Sequence, residues 1–137
     1  MDCAATEHFV TEKEYFTNLW KRTHPKIISC ANKDSTANFI VDSEGDLILK
    51  NDETGRALKL TNVQYSNQVP HNLFSAIKVK EKLGFVIDND DLYIVECSTG
   101  EIIKTDYCDD TFWRIDFLVP GLNLDPKDRL KLLDIKK

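Results

Sequence analysis

The sequence predicts a mostly β fold of the compact sandwich or barrel kind. Apolar and β-branched runs recur about every 8 to 12 residues, with Gly, Asn, Asp, Ser and Pro punctuating them. Helical spacing is confined to short stretches. The most legible run is Leu58 to Ile87. Leu58, Leu60 and Val63 to Tyr65 carry a strand, and Ser66, Asn67 and Pro70 stop it. Ser75 then caps a short helix holding Ile77, Val79 and Leu83. Gly84 supplies the left-handed residue at its end, and Phe85 to Ile87 restart a strand.

In chain order, Asp2-Cys3-Ala4-Ala5-Thr6-Glu7-His8-Phe9 opens as a small-residue turn between an acid and an apolar segment. Tyr15, Phe16, Leu19 and Trp20 suit a single helical turn or a packed loop. Lys26 to Ala31 and Thr36 to Asp42 read as paired strands about an Asn32-Lys33-Asp34 turn. Gly45 divides Phe39-Ile40-Val41 from Leu47-Ile48-Leu49, which marks a bulge or a hairpin tip. After the central run come strands over Leu92 to Cys97, Glu101 to Thr105 and Thr111 to Phe117. In the tail, Pro120-Gly121 breaks the last strand. Asp125-Pro126, followed by Leu130, Leu132, Leu133 and Ile135, predicts a C-terminal helix. The organisation expected is a domain over 1–117 and a helical extension over 118–137.

Composition narrows the function classes. The chain has 137 residues, room for one domain, and 18 basic against 23 acidic residues give a net charge of −5. That balance argues against a dedicated phosphate-binding surface, and no nucleic-acid partner is expected. No apolar run reaches the roughly 18 residues that span a bilayer. The expectation is an intracellular protein, cytoplasmic or nuclear, with no membrane partner. Cys3, Cys30, Cys97 and Cys108 lack zinc-site pairing and disulfide-scaffold density, and His8, His24 and His71 are scattered, so neither a metal nor another cofactor is expected.

The order of several blocks carries a resemblance. Asp2-Cys3-Ala4-Ala5-Thr6 is followed by Gly45-Asp46-Leu47, then by Leu60-Thr61-Asn62-Val63-Gln64-Tyr65, and then by Val69-Pro70-His71-Asn72-Leu73-Phe74-Ser75 before a glycine-ended helix. This order, from Asp2 to about Phe117, resembles the retropepsin-like aspartic protease of copia-class (Pseudoviridae-type) retrotransposon polyproteins, here as a domesticated or truncated copy. The resemblance implies a small closed β-barrel of retropepsin-like type with one short helix, to which the C-terminal helix is added.

It also implies an aspartic endopeptidase built from two identical chains and acting on extended peptide segments of a polyprotein. Asp2 is then the catalytic residue, one from each copy. Cys3 and Ala4 of the turn, with Ser43, Glu44 and Gly45 of a flap, contact substrate, and Asn72 to Ser75 support the turn from beneath. Two facing carboxylates cannot both ionise, so they share a proton.

Two positions depart from the family's D-[ST]-G turn. Cys3 replaces a hydroxyl that bonds across the dimer, and a thiol is a weak donor and acceptor. Ala4 adds a Cβ where the family has Gly. Only Met1 precedes Asp2, where the family has an apolar strand, so the expected origin is a fragment or a gene product restarted at a new methionine. The alternative function is a catalytically weakened retropepsin-like module that dimerises or binds peptides. A retroelement remnant that folds without a selected role is the third reading.

Overall fold

The computed structural model describes residues 7–31, 36–50, 55–69, 72–88, 91–104, 113–120 and 129–132. Among the described residues ten strands run in order: β1 (Phe9–Val10), β2 (Asn18–Ala31), β3 (Thr36–Lys50), β4 (Ala57–Tyr65), β5 (Leu73–Phe74), β6 (Leu83–Asp88), β7 (Asp91–Glu96), β8 (Ile102–Lys104), β9 (Trp113–Leu118) and β10 (Arg129–Leu132). Single 3-10 turns lie at Lys13–Tyr15 and Ile77–Val79. The fold is mostly β, as the sequence predicts.

Seven strands form one sheet in the order β2-β3-β4-β1-β5-β10-β9, and β6-β7-β8 form a second. One further pair, Lys50 with Leu118, links β3 to β9. Among the described residues it is a single bridge, and the expected closed barrel is not found among them.

β3 shows why this sequence makes a sheet. Val41, Ser43, Gly45, Leu47 and Leu49 are buried, while the residues between them are exposed or half-buried. This period of two is that of a strand with one face in the core. On β4 the buried Leu60 and Val63 are three apart and would point to opposite faces of a regular strand. The pairing steps from Gly45–Val63 to Leu47–Leu60, so β4 carries one more residue than β3 there. Asn62 lies in that stretch at φ 54, a left-handed conformation that Asn tolerates. The bulge brings Leu60 and Val63 to the same core.

Two apolar clusters result. The larger joins Val10, Leu47, Leu49, Leu60, Phe74, Leu92, Ile94 and Phe117, tying the three-stranded sheet to the seven-stranded one. The smaller holds Phe9, Val41, Val69 and Leu73, with Ile28 and Phe39 against it. Neighbouring residues of β1 and β5 divide between the clusters. Val10 and Phe74 enter the first, Phe9 and Leu73 the second.

Three expectations are corrected. The C-terminal helix is absent where the chain is described: Arg129–Leu132 is strand, parallel to β5 and antiparallel to β9. Arg129-Leu130-Lys131-Leu132 alternates charged and apolar residues, which suits a strand as well as the leucine spacing suits a helix, and unpaired backbone on β5 and β9 decides between them. The helix expected from Ser75 to Leu83 shrinks to the turn at Ile77–Val79, in which Val79 alone is buried. Ser75 is not its cap, and Gly84 pairs with Val95 inside β6. Finally, Ser43, Glu44 and Gly45 are not a hairpin tip. They lie in mid-β3, with Glu44 and Gly45 paired to β2 on one side and β4 on the other.

Candidate functional site

The described chain begins at Glu7, so Asp2, Cys3 and Ala4 lie outside the described residues. The segment that follows them is held on both sides. β1 runs parallel to β4 and antiparallel to β5, so two backbone ladders meet on two residues. Gln64 N donates to His8 O at 2.9 Å, and Ser66 N donates to Val10 O at 3.2 Å. From the other side Ser75 N donates to His8 Nδ1 at 2.9 Å, and Asn72 Oδ1 accepts from Thr11 N at 2.9 Å and Thr11 Oγ1 at 3.1 Å. The block Asn72 to Ser75 therefore packs against residues 8–11.

His8 is 2% exposed, with its ring centroid 5.1 Å from that of Phe74. Burial, with the Lys78 charge as a smaller contribution, lowers its pKa from 6.5 to about 4, so the ring is neutral at neutral pH. Ahead of it, Glu7 Oε2 lies 3.1 Å from Lys78 Nζ and Glu7 Oε1 3.6 Å from Lys26 Nζ. Scattered imidazoles gave the sequence no reason to single out His8. Its place between the run of small residues Cys3-Ala4-Ala5-Thr6 and the apolar Phe9-Val10 pair is the signal that could have.

Asn72→Ala removes the acceptor of both Thr11 bonds in a buried setting. We expect it to lower stability by about 1–2 kcal/mol, read by urea denaturation, and to raise hydrogen exchange at the Thr11 amide.

The first half of β3 pairs with β2 alone over residues 36–41, giving a two-stranded ribbon that extends past β4. Its turn, residues 32–35, lies outside the described residues. Ile28 and Phe39 pack on the cluster that contains Phe9. On the opposite face the cross-strand pair Ile27 and Ile40 is 69% and 56% exposed. The loop after β4 is anchored to the ribbon, since Gln68 Oε1 accepts from Ile40 N at 3.0 Å. Between them lies a cleft of about 450 Å³ whose lining includes Lys13, Ile40, Asp42, Ser43, Tyr65 and Gln68.

Of the flap residues expected to contact substrate, Ser43 thus lines a cleft, whereas Glu44 is engaged internally. Glu44 Oε2 accepts from Arg22 Nη1 at 2.8 Å and Gln64 Nε2 at 3.1 Å, and Glu44 Oε1 accepts from Trp20 Nε1 at 3.3 Å. Burial works against the ionised form. Those donors and the Arg22 charge outweigh it and hold the carboxyl below its ordinary value. Glu44 and Gln64 tie β2, β3 and β4 together. Gly45 is needed for close approach: a Cβ there would lie 2.1 Å from Asn18 O and 2.9 Å from Phe16 Cδ1.

Among the described residues no three His, Cys, Asp or Glu side chains are grouped to hold a metal ion, and no helix is long and apolar enough to cross a membrane. Cys97 is a free, exposed thiol. No curated protein and no solved structure matches the chain. A family model described as the Pol polyprotein, beta-barrel domain matches residues 1–84. That span carries the Asp2-Cys3-Ala4 sequence, β1 to β5 and the ribbon, and it ends as β6 begins the second sheet. With 84 of its 137 residues matched, the chain belongs to the family of Pol polyprotein beta-barrel domains.

Proposed function

We propose that the chain is a retropepsin-like module of copia-class retrotransposon origin, an aspartic endopeptidase that works as a homodimer on extended peptide segments of a polyprotein. The supporting observation is the double clamp on residues 8–11, with β4 on one side and the Asn72 to Ser75 block on the other. A catalytic turn needs a rigid base so that its carboxylate meets a second one at hydrogen-bond range. Here the base lies directly after Asp2-Cys3-Ala4-Ala5-Thr6. Each copy contributes one Asp2. The pair shares a proton, one carboxylate drawing a proton from water while the other protonates the peptide carbonyl. No cofactor is needed for this reaction, and the partners are a second copy and a peptide.

The cleft beside Ser43 is the place for the peptide, and the ribbon formed by β2 and β3, rather than a flap at Ser43, Glu44 and Gly45, covers it. Cys3 and Ala4 favour a second reading, a domesticated module that kept the fold and the peptide groove but weakened the reaction. Both readings keep the protein intracellular, without nucleic-acid or membrane partners.

The test compares three proteins on one peptide library at one dimer concentration: the chain itself, Asp2→Asn, and Cys3→Ser with Ala4→Gly. Cleavage by the chain should vanish in Asp2→Asn. It should rise in the double variant, which restores a cross-dimer hydroxyl bond worth on the order of 1 kcal/mol. Equal cleavage by the chain and Asp2→Asn removes Asp2 as the catalyst. Cleavage by the double variant alone establishes the weakened module. Sedimentation equilibrium gives the oligomeric state, and a strict monomer at high concentration rules out the shared-proton mechanism.

A further inference from the structure

A second cleft, of about 280 Å³, is lined by His8, Lys59, Thr61, Lys78, Glu81 and Lys82 among others. Its polar floor is unusual. His8 Nδ1 accepts from Ser75 N–H, so the neutral ring carries its proton on Nε2 and offers it as a donor. His8 lines the cleft, and among the described residues no acceptor meets its Nε2, which is not shut off from solvent. Lys59 and Lys82 likewise have no anionic partner among the described residues, and Lys78 shares Glu7 with Lys26. Three ammonium groups against Glu81 and the shared Glu7 leave the cleft positive in a chain whose net charge is −5. That net charge argues against an extended phosphate-tracking surface but not against a local anion site. The volume is at the small end of ligand pockets, the size of a group rather than of a drug-like molecule.

We propose that this cleft binds one small oxyanion, a phosphate or a carboxylate, held by Lys59, Lys78 and Lys82 with the Nε2–H of His8 donating from the floor. The geometry suits such a ligand in two ways. A compact oxyanion accepts several hydrogen bonds at once, and charge-assisted bonds from ammonium groups are the stronger kind. The imidazole Nε2–H adds a neutral donor to the ammonium groups. The site adjoins the segment that follows Thr6 but is separate from the Ser43 cleft and does not depend on proteolysis.

The test is an NMR titration of the isotopically labelled chain at neutral pH, once with inorganic phosphate and once with acetate, chloride holding the ionic strength constant. We expect saturable single-site shifts of the His8 ring and of the Lys59 and Lys78 to Lys82 amides with at least one anion, and the arm that saturates at lower concentration identifies the oxyanion class. The double variant Lys59→Gln with Lys82→Gln should keep the spectrum of the folded chain elsewhere and bind about tenfold more weakly, as expected for two partly solvated charge pairs. Linear, unsaturable shifts with both anions would overturn the proposal. So would saturation of unchanged strength in the double variant.

Discussion

Gly45→Ala should destabilise the protein by about 3 kcal/mol or more, enough to remove a large part of the stability of a domain this size. The added Cβ would stand 2.1 Å from Asn18 O and 3.0 Å from Leu19 Cα, both backbone atoms, as well as 2.9 Å from Phe16 Cδ1. A flexible side chain can swing away from such a clash, but a backbone atom in a paired strand cannot. Leu19 is the register partner of Gly45 across the β2–β3 ladder, and Val63 pairs with it from the other side, so relief means parting the strands. Urea denaturation measures the loss. Gly84→Ala is the control, because a Cβ there meets nothing closer than Val95 O at 3.9 Å. A glycine that serves a moving hairpin tip would behave differently: Gly45→Ala would leave stability nearly untouched and change only turnover. A stability loss below about 1 kcal/mol would therefore contradict the close approach seen here.

The same position shows what the sequence could and could not reveal. A glycine between two β-rich runs announces an irregularity, and one exists opposite Gly45, at Asn62 on β4. Nothing local says that the chain on both sides of Gly45 is one continuous strand, because that depends on Asn18 and Val63 arriving from elsewhere. Strands with strict alternation or clean turn signals were legible: Ala57–Tyr65, Leu83–Asp88, Asp91–Glu96 and Ile102–Lys104 fall close to the predicted runs. The pairing of Ala31 with Thr36 flanks the predicted Asn32-Lys33-Asp34 turn. Where two periods fit equally, as in Arg129-Leu130-Lys131-Leu132, tertiary pairing decided and the helix reading failed.

The candidate site was legible only in part. The order of blocks led to Asp2 and to Asn72 to Ser75, and the match to the Pol beta-barrel family shares that span. The polar links across it were invisible because they join residues far apart in the chain. Thr11 meets Asn72, His8 meets Ser75, and Glu44 meets Arg22 and Gln64. Neither composition nor spacing distinguishes these from solvated surface residues.

His8 makes the fold acid-sensitive, and the sign follows from its environment. Protonating Nδ1 breaks the bond from Ser75 N–H and places a charge against Phe74 and near Lys78. The folded-state pKa is accordingly about 4, against 6.5 for the ordinary group. Between those values the unfolded chain binds more protons than the folded one, so stability rises with pH. The contribution of neutral His8 is fully present above the ordinary pKa and is lost as pH falls toward the folded value, about 3 kcal/mol in all. From about pH 7 to about pH 5 the expected loss is about 2 kcal/mol. Glu44, whose pKa is lowered in the fold, adds a further loss at still lower pH as its carboxylate is neutralised. His8→Gln separates the two, since it should be flat over the upper part of that range and keep only the carboxylate-linked fall. Urea midpoints at both pH values for the two proteins are sufficient, and a parallel decline in both would show that His8 is not the titrating group. The proposed proteolysis gains a consequence: the shared proton of two Asp2 carboxylates favours acid, but the clamp on residues 8–11 weakens there, so the acid limit of cleavage should follow His8 and move lower in its variant.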